Sequence, residues 1–174
     1  YNIMKKVFDI GYNVGEFSEA CLSKFPDCEI ISVEANPYLI PQIGPDNIKV
    51  LNYVCSDKDD KEVDFYIEDK QSGISTASLD FIQKSRFTKG NKYLPTGSAS
   101  WNKPIKVKSI TLDRLIKDHG IPDLIKIDVE GYEYAVIKGL TSKANMLCFE
   151  WHEEDFDSII KIADHLESLD YKNY

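Results

Sequence analysis

Four groups of residues in this sequence have the types and spacing to do chemistry. The first is Asp9-Ile10-Gly11-Tyr12-Asn13-Val14-Gly15, which closes a short apolar run and opens a helical pattern. Gly11 and Gly15 allow a tight turn and close approach of a ligand to the backbone at the start of that helix. Asn13 tolerates left-handed backbone better than most residues, which suits a place inside the turn. The spacing is G-x-N-x-G, not G-x-G-x-x-G, so the pyrophosphate fingerprint of dinucleotide enzymes is not met. The second group, Glu34-Ala35-Asn36-Pro37, ends the next apolar run 23 positions beyond Gly11. That is close to the roughly 20 expected of a carboxylate accepting from both ribose hydroxyls. The third, Cys55-Ser56-Asp57, supplies at Ser56 and Asp57 a further acceptor suited to an adenine amino group. Three successive strand tips thus read as a nucleoside site. The bland alternatives are a plain strand-to-helix turn and, for Asp9, a carboxylate that only caps backbone amides.

The fourth group is the densest. Lys126, Asp128 and Glu130 alternate with Ile125, Ile127 and Val129, and a nearby apolar run ends in Glu150-Trp151-His152. Strand periodicity puts the three charges on one face, where they are costly unless paired or functional. One reading is that the group orients an acceptor hydroxyl, with His152 or a carboxylate as the base. A second is a hard divalent ion held by the carboxylates and the histidine, which is not the favoured reading. The third is a buried ion network with His152 at the surface.

The elements that must position these residues alternate short apolar runs with helical patterns, the order of a mostly parallel sheet covered by helices on both faces. Strands are predicted at Val7–Ile10, Ile30–Val33, Val50–Val54, Leu124–Val129 and Met146–Phe149, with Val63–Ile67 as an additional edge or antiparallel strand. Helices are predicted around Phe17–Phe25, Leu112–Ile116 and Val136–Leu140. A last one has an apolar stripe of Phe156, Ile159, Ile160, Ala163 and Leu166. The irregular stretch 71–103 reads as a lid or substrate insertion, with Ser75, Ser78, Tyr93 and Trp101 as acceptor contacts or as lid packing. Residues 1–174 form one domain, with regular structure resuming at Leu112.

Together these motifs resemble the FkbM-type family of class I, Rossmann-like methyltransferases. The resemblance rests on Asp9–Gly15, on Val33–Pro37 and above all on Ile125-Lys126-Ile127-Asp128-Val129-Glu130-Gly131-Tyr132-Glu133, with Ile110–Asp113 and Glu150 in support. It implies methyl transfer from S-adenosylmethionine to an oxygen, often a hydroxyl of a sugar or natural product. Asp9, Gly11 and Gly15 would hold the methionine end, Glu34 the ribose and Asp57 the adenine. A phosphate-free acidic pocket suits a sulfonium nucleoside better than NAD. Such enzymes close their sheet with further strands, whereas here only a helix and Asp170–Tyr174 follow the fifth strand. Either the chain is abbreviated or truncated there, or a partner subunit covers the edge, so a homo-oligomer stays open.

Bulk properties agree with that class. The 174 residues are 43% hydrophobic and 29% charged with net charge −8, and only Arg86 and Arg114 are arginines. An acidic, arginine-poor surface repels polyanions, so nucleic acid is not an expected partner. No apolar run approaches the roughly 20 residues of a membrane span. Cys21, Cys28, Cys55 and Cys148 show no CxxC spacing, no N-x-S/T sequon occurs and no leader is visible, so a cytoplasmic setting is expected. The sequence opens on Tyr1, which leaves an upstream segment open. Two rival functions remain on these residues: a nicotinamide-dependent oxidoreductase, disfavoured by the glycine spacing, and a non-catalytic nucleoside-binding module.

Overall fold

The computed structural model describes residues 4–41, 44–89, 99, 101, 103–152 and 155–172. Its centre is a five-stranded, all-parallel sheet of β1 (Lys6–Ile10), β2 (Glu29–Glu34), β3 (Ile48–Asn52), β7 (Leu124–Ile127) and β8 (Leu147–Phe149). The order is β3-β2-β1-β7-β8. Strand order therefore reverses between β1 and β7, and a doubly wound sheet offers its crevice beyond the carboxyl ends of those two strands. The register is fixed by Ile10 beside Val33 on one side and Ile127 on the other, so the three tips end level.

The strands read as near-continuous apolar runs because both faces are covered. On one face Phe8, Ile10, Ile31, Val33, Ile125 and Ile127 pack against α4 (Leu112–His119), α5 (Glu133–Lys138) and α6 (Phe156–Ser168). On the other, Val7, Cys28 and Ile30 pack against Phe17, Cys21 and Leu22 of α1 (Glu16–Lys24). Helix α4 starts where Thr111 accepts from the Arg114 amide and stops at Gly120, with φ 86°, as its spacing predicts. Among the described residues no helix is long and apolar enough to cross a membrane. All four cysteines are free thiols.

Several boundaries differ from the sequence reading. The third strand stops at Asn52, and Val54–Cys55 (β4) leaves it for a second sheet with β5 (Glu62–Phe65) and β6 (Ile105–Ile110), in the order β4-β6-β5. The predicted antiparallel strand is therefore real, but it pairs with β6 instead of adding to the main sheet. Strand β6 was hidden because Lys106 and Lys108 interrupt its apolar residues; they point outward while Val107 and Ile110 are buried. The stretch 71–103 contains two short helices, α2 (Leu79–Lys84) and α3 (Arg86–Lys89), the first capped by Ser78. Helix α6 is turned from its expected stripe. Ile162 and Leu166 are buried, whereas Phe156 is 61% and Ile160 49% exposed.

Candidate active site

The tips of β1, β2 and β7 border an open cleft whose cavity measures about 170 Å³. At its floor the turn after β1 is held by backbone bonds from the Gly11 and Tyr12 amides to the Val33 carbonyl. Gly11 has φ 89°, and a Cβ there would stand 1.8 Å from the Asp128 carbonyl oxygen. Only glycine lets β1 and β7 approach so closely. Asn13 also takes left-handed geometry, with φ 49°. Gly15 caps α1 in the same conformation, but the space a side chain would need is filled by the Tyr12 ring, not left for a ligand.

Glu34 sits at the cleft wall with only 6% of its surface exposed. One carboxylate oxygen accepts from the Asn13 amide and the other from the Asn36 amide, both at 2.7 Å. Burial pushes its carboxyl above the ordinary glutamate range, and those two amides oppose the shift. Each oxygen keeps a further lone pair for a ligand hydroxyl. Asn36 itself is turned to local use, accepting from the Tyr38 amide, and does not line the cleft.

Asp9 is fully buried behind the turn. It accepts from the Ser18 hydroxyl at 2.6 Å, and its other oxygen stands 3.1 Å from Lys126 Nζ. Burial raises its pKa and the Lys126 charge opposes. Lys126 also donates to the Gly11 carbonyl at 2.9 Å, lies 3.5 Å from Asp128 and covers the Phe17 ring. Asp9 and Lys126 thus brace the turn from beneath; neither faces the cleft. Ser56 is buried 3.3 Å from the Tyr132 hydroxyl. Asp57 points elsewhere: Lys138 pairs with it at 2.9 Å and holds its carboxyl below the ordinary range. Asp57 does not line the cleft, which has an apolar wall of Ala35, Val54, Cys55 and Phe65.

The other side of the cleft gathers the charged cluster. Beyond Ile127 the chain leaves the strand, and Glu130 (φ 54°) and Gly131 (φ 83°) are both left-handed, which turns it into α5. The alternation expected through Glu130 therefore stops at the strand end. Glu130 swings to His152, their Oε2 and Nε2 3.2 Å apart, each atom buried and without a hydrogen bond. The Glu130 carboxylate beside it pushes the His152 pKa up. Glu150 follows β8, its amide bonded to the Ile127 carbonyl, and burial together with Asp128 beside it pushes its carboxyl up to about 7. Glu133, buried and accepting from the Val129 amide, is also pushed up to about 7 by burial. Asp128, Glu130, Glu150 and His152 are thus brought together as the sequence predicts, with Asp128 and Glu130 on the cleft wall.

A strap closes the cleft from above. Glu68, 2% exposed, accepts from the Lys70 and Gln71 amides and shapes the loop, while Ser75 accepts from the Glu68 amide. Ser72 then donates to the Asn13 side chain at 2.8 Å, and buried Thr76 donates to the Glu130 carbonyl at 2.7 Å. Trp101 donates to the Ile74 carbonyl and meets the Phe81 ring edge-on, so it packs the strap; Tyr93 lies outside the described residues. Phe81 in turn lies against the His152 ring, with centroids 5.3 Å apart. Sequence reasoning missed Tyr53, Phe65, Gly73 and Tyr132 as cleft residues. Only Tyr132 carried a signal, its place directly after Glu130-Gly131.

With that geometry in view, the comparisons are specific. The model of the methyltransferase FkbM domain matches residues 9–172. No curated protein and no solved structure matches the chain.

Proposed function

The chain belongs to the FkbM methyltransferase domain family, and we propose that it moves the methyl group of S-adenosylmethionine to a hydroxyl oxygen of a sugar or other small acceptor. The observation that carries this reading is Glu34, a buried carboxylate at the β2 tip beside the Gly11–Asn13 turn, in a cleft without the glycine spacing of a phosphate cradle. Gly11 and Asn13 would lie along the cofactor, Glu34 would accept from its ribose, and Ala35, Val54, Cys55 and Phe65 would cover its base. Asp9 and Lys126 act at one remove, by fixing the turn.

The cofactor supplies an already activated methyl carbon. Bound there, it would offer that carbon to an in-line acceptor oxygen, the O–C bond forming as the C–S bond breaks and the thioether leaving. The acceptor's proton has to leave, and Asp128 and Glu130 are the carboxylates on the cleft wall placed to receive it. Alignment supplies most of the acceleration. The strap that hydrogen-bonds to Asn13 and Glu130 ties both halves of the cleft at one spacing.

Calorimetric titration with S-adenosylhomocysteine, run beside NAD, tests the reading. Micromolar binding of the first and none of the second is expected. Preference for NAD would make the protein a nicotinamide enzyme or binder, and a folded chain that binds neither would overturn the cofactor assignment.

A further inference from the structure

Glu130, Glu150 and His152 present one ligand atom each within 4.8 Å of one another, at the carboxyl ends of adjacent strands β7 and β8. The His152 side chain is 10% exposed, its Nε2 is buried and points at the buried Glu130 Oε2, and neither atom makes a hydrogen bond at their 3.2 Å separation. Buried polar atoms left unbonded are costly, and a native structure places them where something else satisfies them. For a cation held at about 2.1 Å, ligands at right angles stand about 3.0 Å apart and opposed ligands about 4.2 Å apart. The observed spacings need only small side-chain rotations to reach those values.

We infer that Glu130, Glu150 and His152 form a binding site for one divalent first-row cation of the Mn²⁺ type. The donor set selects the ion. An imidazole beside two carboxylates departs from the all-oxygen shell of Ca²⁺ and from the water-rich shell of Mg²⁺, while Mn²⁺ accepts both donor types and leaves positions open. The negative charge converging from Glu130, Glu150, Glu133 and Asp128 favours a cation there. The Phe81 ring against His152 fixes the imidazole and screens it from solvent. The inference deepens the proposed methyl transfer and rests on it only for purpose: an ion at this point would hold the acceptor hydroxyl and lower its pKa, leaving Asp128, outside the three, to take the proton.

The test reads the ion directly. Titrating the full chain with MnCl₂ and following the six-line electron paramagnetic resonance signal of free Mn²⁺ should show one ion lost per chain. His152→Ala and Glu150→Gln, each verified as folded by circular dichroism, should weaken binding at least tenfold, and Zn²⁺ should displace the ion. A free-ion signal unchanged by folded wild-type protein would overturn the site. So would equal Mn²⁺ affinity in wild type and both variants, which would mark diffuse attraction to an acidic surface. Titration of the same samples with S-adenosylhomocysteine separates the two claims: Mn²⁺ binding without nucleoside binding defeats the cofactor reading alone, and the converse defeats the ion alone.

Discussion

Replacing Glu34 by Gln should cost most of the cofactor affinity while sparing the fold. The wild-type carboxylate accepts from two backbone amides, Asn13 and Asn36, one on each oxygen at 2.7 Å. Glutamine offers one oxygen and one NH₂, so one of those amides must face another donor. It also loses the charge that strengthens the bonds expected from the ribose hydroxyls. A hydrogen bond to a charged group contributes roughly 1.5–3 kcal/mol, and loss of one such bond in the complex corresponds to a roughly 10- to 150-fold rise in Kd. Calorimetry with S-adenosylhomocysteine measures that rise, and a circular dichroism melt checks that the variant is folded. Glu34→Asp, which keeps the charge but withdraws it by one methylene, should also bind weakly. Folded Glu34→Gln protein with a Kd within threefold of wild type would refute the ribose assignment and with it the orientation of the cofactor.

Because burial raises the Glu34 carboxyl in the free protein and the ligand favours its charged form, S-adenosylhomocysteine affinity should fall as pH drops through a value above the ordinary glutamate range. The slope should reach at most about tenfold per unit and vanish in Glu34→Gln; a wild-type affinity flat between pH 8 and pH 5 would contradict this. Asp57→Ala removes a surface pair with Lys138 and should leave that affinity within twofold by calorimetry, since the side chain faces away from the cleft. Gly11→Ala forces a Cβ against the Asp128 carbonyl at positive φ and should cost about 3 kcal/mol or more, roughly 6–12 °C in Tm; a melt shifted by under 2 °C would show that the strand tips are not tightly apposed. Thr76→Val leaves the Glu130 carbonyl and the Ser78 amide without their hydroxyl partner and should cost about 2–4 kcal/mol in urea unfolding, with faster cofactor release in stopped flow.

The central sheet and the turn after β1 were legible because their signals are local. Apolar runs such as Val7–Ile10 and Ile30–Val33 are buried on both faces, and the glycine and acidic residues directly after them mark the strand tips. The convergence of Glu130 with His152 was also legible, as it follows from adjacent strand ends. What was not legible depended on rotations and partners that no window of sequence encodes. Asp57 follows a strand that belongs to a different sheet, so its side chain meets Lys138 instead of the cleft. Asp9 reads in sequence as a partner for a cationic ligand group and Lys126 as a charge too costly to be idle on a central strand; they face each other at 3.1 Å beneath the turn. The face of α6 was only partly legible: Leu166 is buried as expected, but Phe156 and Ile160 are as apolar as Ile162, and periodicity could not choose between them.

The bond from Lys126 to the Gly11 carbonyl joins residues 115 apart, and that from Thr76 to the Glu130 carbonyl spans 54. Among the described residues the cleft is therefore built from segments far apart in sequence. The β1 turn is held by β7 docked beside it, across a separation of more than half of the chain, so the cleft exists only in the assembled sheet. A ligand that selects the assembled cleft consequently stabilises the whole cooperative unit, by about 2.7 kcal/mol at a hundredfold excess over its Kd. Protection from proteolysis by such a ligand should therefore extend to helices far from the cleft.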